Sequence, residues 1–126
     1  MKKLTKEQIL MLHSMAIKQS GGMDGIRDDG LLDLALKSPF QTFESTELYP
    51  SIQSKAARLC FSIISNHPFI DGNKRIGILA MLVFLDVNQI SITCSNEDII
   101  DLGLGVASGK YDSKYIMDWI IRHNVI

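Results

Sequence analysis

The run from Ile76 to Leu85, IGILAMLVFL, is apolar on every face that a helix could present. A surface element keeps one side polar, so a segment of this kind requires enclosure all round. It falls well short of the about 20 residues that a membrane-spanning helix needs. Its place is therefore the interior of a globular bundle. The pattern predicts a helix over Arg75–Val87 as the central, most buried element, with the rest of the chain arranged to cover it.

The covering elements read as helices too. Thr5 with Gln8 three positions on is a capping-box pattern. It opens a helix carrying Ile9, Leu12, Met15 and Ala16 on one face and closing at Gly21-Gly22. Residues 21–30, GGMDGIRDDG, form a loop rich in glycine and aspartate, after which Asp28 or Asp29 caps a short helix, Leu31 to Lys37, stopped by Pro39. Phe40 to Tyr49 has no clear period and reads as a loop or short hairpin. Pro50-Ser51 opens a long helix with Ile52, Ala56, Leu59, Cys60 and Ile63 inward. Ser95 or Asn96 caps a helix over Glu97–Ser108 ended by Gly109, and a last helix, about Asp112 to His123, buries Tyr115, Ile116, Trp119 and Ile120. Ile90 to Thr93 is strand-like, but one short strand makes no sheet. The expected fold class is all-α: a compact bundle around a central buried helix with a short flap-like loop or hairpin, one domain over residues 1–126.

Charge excludes some partners. Thirteen basic residues against fourteen acidic ones leave a formal charge of −1, so no general attraction to nucleic acid or an anionic membrane is expected. Cys60 and Cys94 have no metal-type spacing and form no disulfide framework, which points to a reduced, cytoplasmic setting. After Met1-Lys2-Lys3, the apolar run Ile9 to Leu12 is too short for a signal core.

The chemistry concentrates between two helices, in Asn66–Gly77, NHPFIDGNKRIG. Pro68 disfavours α geometry at His67, so the preceding helix breaks there and presents an imidazole, a competent general base near neutral pH. Phe69 plugs into the core and fixes the loop. Asp71 offers carboxylate oxygens to Mg²⁺. Gly72 and Asn73 permit a tight turn with positive φ that aims N–H groups outward at the positive end of the next helix, an arrangement that cradles phosphate. Lys74 and Arg75 add fixed positive charge, and Arg can grip two oxygens at once. Singly, each residue is an ordinary turn or surface feature; their joint spacing around one helix N-terminus outweighs that. The set comprises the parts of a phosphoryl or nucleotidyl transferase.

His67-Pro-Phe69-Ile-Asp71-Gly72-Asn73-Lys74-Arg75 closely resembles the Fic/Doc superfamily signature H-x-F-x-[D/E]-G-N-x-R. Gly21–Phe43, GGMDGIRDDGLLDLALKSPFQTF, resembles the upstream block of the Doc (death-on-curing) branch. The resemblance implies His67 as the base that deprotonates a target hydroxyl and Asp71 as the residue holding Mg²⁺ on the phosphates of ATP. It further implies Gly72, Asn73 and Lys74 as the anion hole, Arg75 on the phosphate chain, and Phe40–Tyr49 as a flap that positions the target segment.

Two departures bear on the reaction. Fic adenylyltransferases carry G-N-G-R-x-x-R, where this chain has Lys74 and Ile78. Lys adds bulk and charge where a nucleotide diphosphate would pass, and Ile78 removes one half of a double-arginine clamp. The Doc-like alternative is an inverted ATP whose γ-phosphate occupies the anion hole. That implies a toxin kinase acting on a threonine of translation elongation factor Tu and arresting translation. The inhibitory pattern [S/T]-x-x-x-E-[G/N] has only a broken match at Thr93–Glu97, because Asp98 follows. The resemblance therefore implies restraint in trans by a Phd-type antitoxin. Adenylyl transfer and a non-catalytic antitoxin-binding module remain the alternatives. Elsewhere, His13 and His123 read as surface or capping residues, Lys55 and Arg58 as a solvated helix face, and Met11, Met15, Met81 and Met117 as core filler. Asp24, Arg27, Asp28 and Asp29 read as loop and cap residues.

Overall fold

A computed structural model describes residues 1–125. The helices are α1 (Lys6–Ser20), α2 (Asp29–Lys37), α3 (Ile52–Asn66), α4 (Asn73–Val87), α5 (Asn96–Ala107) and α6 (Ser113–His123). A 3-10 turn, Ser38–Phe40, leads into an antiparallel hairpin of β1 (Thr42–Phe43) and β2 (Thr46–Glu47), with Thr42 opposite Glu47 and Phe43 opposite Thr46. Glu44 and Ser45 turn it with φ of 49° and 66°, the double positive φ that suits the twist of a two-residue hairpin. Ile92 makes only an isolated bridge to Asn124. The all-α reading holds, and Phe40–Tyr49 is the hairpin.

Local chemistry starts most of the helices. Thr5–Gln8, Ser51–Ser54 and Ser95–Asp98 are reciprocal capping boxes, while Asp28 and Asp112 accept from Leu31 and Tyr115; each such cap contributes about 1 kcal/mol. Only α4 has no side-chain cap: Gly72, at φ 76°, stands at its start.

The centre is a pair of helices. α3 packs on α2, α4, α5 and α6, and α4 packs on α1, α3 and α5. Ala56, Cys60 and Ile63 of α3 and Ile76, Ala80, Met81 and Leu85 of α4 are fully buried, joined by Ile9, Leu32, Leu102, Ile116 and Ile120. Each large aliphatic side chain so buried contributes about 1.5–3 kcal/mol. Gly77 lets the two axes approach, since a Cβ there would lie 2.6 Å from Ile64. Among the described residues, no helix is long and apolar enough to cross a membrane.

Some surface readings are overturned. Met11 and Met15 are exposed, and α1 buries His13 and Ile17 instead. Lys55 is fully buried. Its Nζ donates to Glu47 Oε1 at 2.8 Å and to the Tyr49 carbonyl, tying the hairpin to α3. Arg58 is half-buried, donating to Ser38 Oγ at 2.6 Å and stacking against Tyr49 and Phe61. Both are anchors, because the hairpin folds back over the start of α3.

Candidate active site

The site forms where α3 ends and α4 begins. His67 terminates α3 at φ 51°, ψ 53°, in the left-handed well rather than the extended region usual before proline. The end is capped from a distant loop. Arg27 donates through Nε to the His67 carbonyl at 2.6 Å and through Nη2 to that of Asn66 at 3.0 Å, a cation at the negative end of the helix. The Pro68 carbonyl accepts from the N–H groups of Arg27 (2.7 Å) and Asp28 (3.0 Å), and Ile70 N–H donates to Gly25 at 3.1 Å. The Gly21–Asp28 loop thus runs alongside residues 67–71 and fixes them. The His67 side chain is left exposed on the cavity wall.

Phe69 is fully buried and anchors the loop. Its N–H donates to Asn73 Oδ1 at 2.9 Å, and its carbonyl accepts from Asn73 Nδ2 at 3.0 Å. The Asn73 side chain is thereby committed to the loop, and only its backbone N–H can face a ligand. Of the pair Gly72-Asn73, Gly72 has the positive φ and Asn73 does not, because Asn73 is the first helical residue of α4. With no side-chain cap, the first-turn N–H groups of α4 keep the orphan donors of a helix N-terminus.

Asp71 is held from two sides. Its Oδ2 accepts from Met23 N–H at 3.2 Å and its Oδ1 from Gly72 N–H at 2.9 Å. These bonds, that from Met23 foremost, hold its carboxyl below the ordinary aspartate range, with the charge of Arg75 adding. A Cβ on Gly22 would lie 2.8 Å from Asp71 Oδ2, so the second glycine of the pair is what allows this approach. Among the described residues no group of three or more His, Cys, Asp or Glu could hold a metal ion. One ionised carboxylate beside free helix N–H groups fits Mg²⁺ shared with phosphate oxygens and water, as that ion is usually held.

His67, Asp71, Gly72, Asn73, Lys74 and Arg75 line one cavity of about 880 Å³, closed on its far side by α5 and Tyr111. This is within the range of small-molecule and cofactor sites. Arg75 Nη1 donates to the carbonyls of Ala16 and Gly21, both at 3.3 Å, so its guanidinium also caps α1. Ile78 is buried beside Gly103 of α5, a Cβ on which would lie 3.1 Å from it, and it brings no second cation to pair with Arg75. A second, largely apolar groove of about 600 Å³ lies between α1, α4 and α5. It is lined by Met15, Ile100 and Leu104, all strongly exposed, and meets the cavity at Lys74 and Arg75.

His13, read as a surface or capping residue, is instead 1% exposed in the middle of α1. Its Nε2 lies 2.7 Å from the Asp71 carbonyl, its Nδ1 3.3 Å from Asp24 Oδ1, and its ring stacks on Phe69 at 3.9 Å. The available signal was its position one turn from Ile9 and Ala16 on the buried face. His123 does cap: its Nδ1 lies 2.7 Å from the Trp119 carbonyl.

The model of the Fic/DOC family matches residues 3–85. Toxin Doc of Mycolicibacterium smegmatis is 38% identical over 89 residues, covering 71% of this chain and 66% of that protein. Protein kinase doc of Escherichia phage P1 is 27% identical over 122 residues, covering 97% of this chain and 95% of that protein. The chain thus spans about two thirds of the length of the first relative.

Proposed function

Because the chain belongs to the Fic/DOC family, and within it to the Doc branch, we propose that it is the toxin of a toxin–antitoxin pair. In this reading it is a cytoplasmic protein kinase that moves the γ-phosphate of ATP to a hydroxyl of a translation factor, by resemblance elongation factor Tu. The observation that carries the reading is the sharing of one cavity by His67, Asp71 and the uncapped start of α4. Bound ATP with Mg²⁺ supplies the phosphoryl group and neutralises part of its charge. His67, exposed at a fixed helix end, accepts the proton of the incoming hydroxyl. The N–H groups at the start of α4, with Lys74, stabilise charge on the phosphoryl oxygens as it develops. Asp71 is held ionised for the cation. Arg75 braces α1 against α4 and, lining the cavity, would hold the phosphate chain.

Lys74 and Ile78 favour phosphate transfer over AMP transfer: one charges the cavity, and the other leaves Arg75 without a second arginine one helical turn on. The groove between α1, α4 and α5 suits an amphipathic helix of a Phd-type antitoxin, its carboxylates against Lys74 and Arg75. A helix seated there blocks the phosphate site from the side.

Incubation of translation factors with the protein, Mg²⁺ and ATP labelled at either α or γ tests the chemistry. The γ label is expected on protein; transfer of the α label would identify an adenylyltransferase instead. His67→Ala is expected to end both transfer and toxicity. Undiminished toxicity of that variant would mean the protein acts by binding alone.

A further inference from the structure

We propose that His13 is a positioning residue for the cation and phosphate site, acting through the Asp71–Gly72 peptide; this rests on Asp71 being the cation ligand. A carbonyl oxygen only accepts, so at 2.7 Å from the Asp71 oxygen it is Nε2 that carries the hydrogen and donates. The same peptide unit bears the Gly72 N–H on its opposite edge. The unit is planar, so fixing its carbonyl also fixes that N–H, which is the donor 2.9 Å from Asp71 Oδ1. The imidazole bond therefore sets, together with the Met23 N–H, the direction of the Asp71 carboxylate. It also sets the orientation of Gly72, whose left-handed conformation starts α4.

The imidazole is nearly completely buried and stacked on the Phe69 ring at 3.9 Å, with Asp24 Oδ1 3.3 Å from Nδ1, a contact that holds the ring when Nδ1 also carries a hydrogen. Asp24 is fixed in turn, its Oδ1 accepting from Gly25 N–H at 2.8 Å. His13 does not line the cavity and touches no reacting atom. Its part is the outer hydrogen bond that orients a cation ligand. Loss of such a bond commonly weakens metal affinity 10–100-fold.

The test compares variants matched in size. Counting bonds from Cα, the amide nitrogen of Gln stands where Nε2 does and that of Asn where Nδ1 does. His13→Gln can thus still donate to Asp71, while His13→Asn reaches only toward Asp24. His13→Phe keeps the stack on Phe69 without the donor. Binding of β,γ-methylene ATP is measured by calorimetry with and without Mg²⁺, alongside thermal melting of the free proteins. His13→Asn and His13→Phe are expected to lose the Mg²⁺-dependent gain in affinity by about tenfold or more, with His13→Gln keeping most of it. If His13→Phe does not fold, the Gln and Asn pair decides alone. Equal binding by those two, whether both retained or both lost, overturns the proposal. A wild-type protein with no Mg²⁺-dependent gain overturns the reading of Asp71 as cation ligand, and this inference with it.

Discussion

His67 holds a left-handed backbone that costs a residue bearing a Cβ about 1–2 kcal/mol. Glycine takes that conformation freely and is the common choice at a helix end. An imidazole kept at such a position fits a residue retained for chemistry rather than for stability. His67→Gly should therefore be more stable than His67→Ala by about 1 kcal/mol in urea unfolding, with neither variant transferring label. An Ala variant at least as stable as the Gly variant would remove the argument from strain. Asn73 is the opposite case, with its side chain given wholly to structure. Asn73→Ala leaves the buried N–H and carbonyl of Phe69 without their partners, and each unsatisfied group costs about 1–3 kcal/mol. A loss of about 2–4 kcal/mol is expected on that ground. A loss below about 1 kcal/mol would mean that the clamp is dispensable.

The elements were legible wherever their cause is local. Thr5 with Gln8 acts across three residues, so spacing gave the start of α1. Ser95 or Asn96 and Asp112 marked the starts of α5 and α6 to within a residue or so, and the structure assigns those caps to Ser95 and Asp112. Pro68 showed that α3 must stop, though not that His67 would enter the left-handed well, which Arg27 and the neighbouring loop stabilise from 40 residues away. His13 and Lys55 escaped because burial of a charged or titratable side chain depends on partners that only the fold supplies: Asp71 lies 58 positions from His13, and the hairpin folds back over Lys55. Met11 and Met15 escaped for a related reason. A helical stripe gives a face, but not whether a neighbour covers it: Met15 lines the open groove between α1, α4 and α5, and Met11 lines a hollow with Met15, Lys18 and Asp24. Lys55 carries a prediction about the hairpin. Lys55→Ala should cost about 2–4 kcal/mol, as large-to-small core changes do, and Lys55→Met less because it refills the volume. Both should quicken proteolysis between Phe40 and Tyr49, since each removes the donor to the Tyr49 carbonyl. Cleavage at the wild-type rate in both would mean that the hairpin is held by other contacts.

At the scale of the whole molecule, pH acts through carboxylates tied into loops and caps. Asp24 is held below the usual range chiefly by Ser14, Asp71 chiefly by the Met23 N–H and Asp98 chiefly by the Ser95 N–H. A depressed folded pKa means that the unfolded chain takes up protons first, near the ordinary aspartate value of about 3.9. The stabilisation is complete above that value and fades as pH falls through the folded values. The melting temperature should hold between about pH 7 and 5 and drop below about pH 4, with a shallower acid limb in Asp98→Asn. The two cysteines report how the core opens. Cys60 is fully buried at the contact of α3 with α4, and burial pushes its thiol up to about 12. Cys94 is half-buried, and its thiol is raised by burial and by the Asp98 charge. A thiol reagent at pH 8 is expected to label Cys94 first and Cys60 only when the α3–α4 contact separates. Because that contact is the centre of the fold, Cys60 labelling should rise with urea along the global unfolding slope. Gly77→Ala sharpens the test: its Cβ would press on Ile64 at 2.6 Å and approach the Cys60 carbonyl at 3.3 Å. Overpacking of about 1–3 kcal/mol outweighs the gain of about 1 kcal/mol in helix propensity. The variant should therefore label Cys60 faster while Cys94 keeps its rate. Cys60 labelling that ignores urea would place a local opening at the centre of the molecule and overturn the two-helix core as its most stable unit.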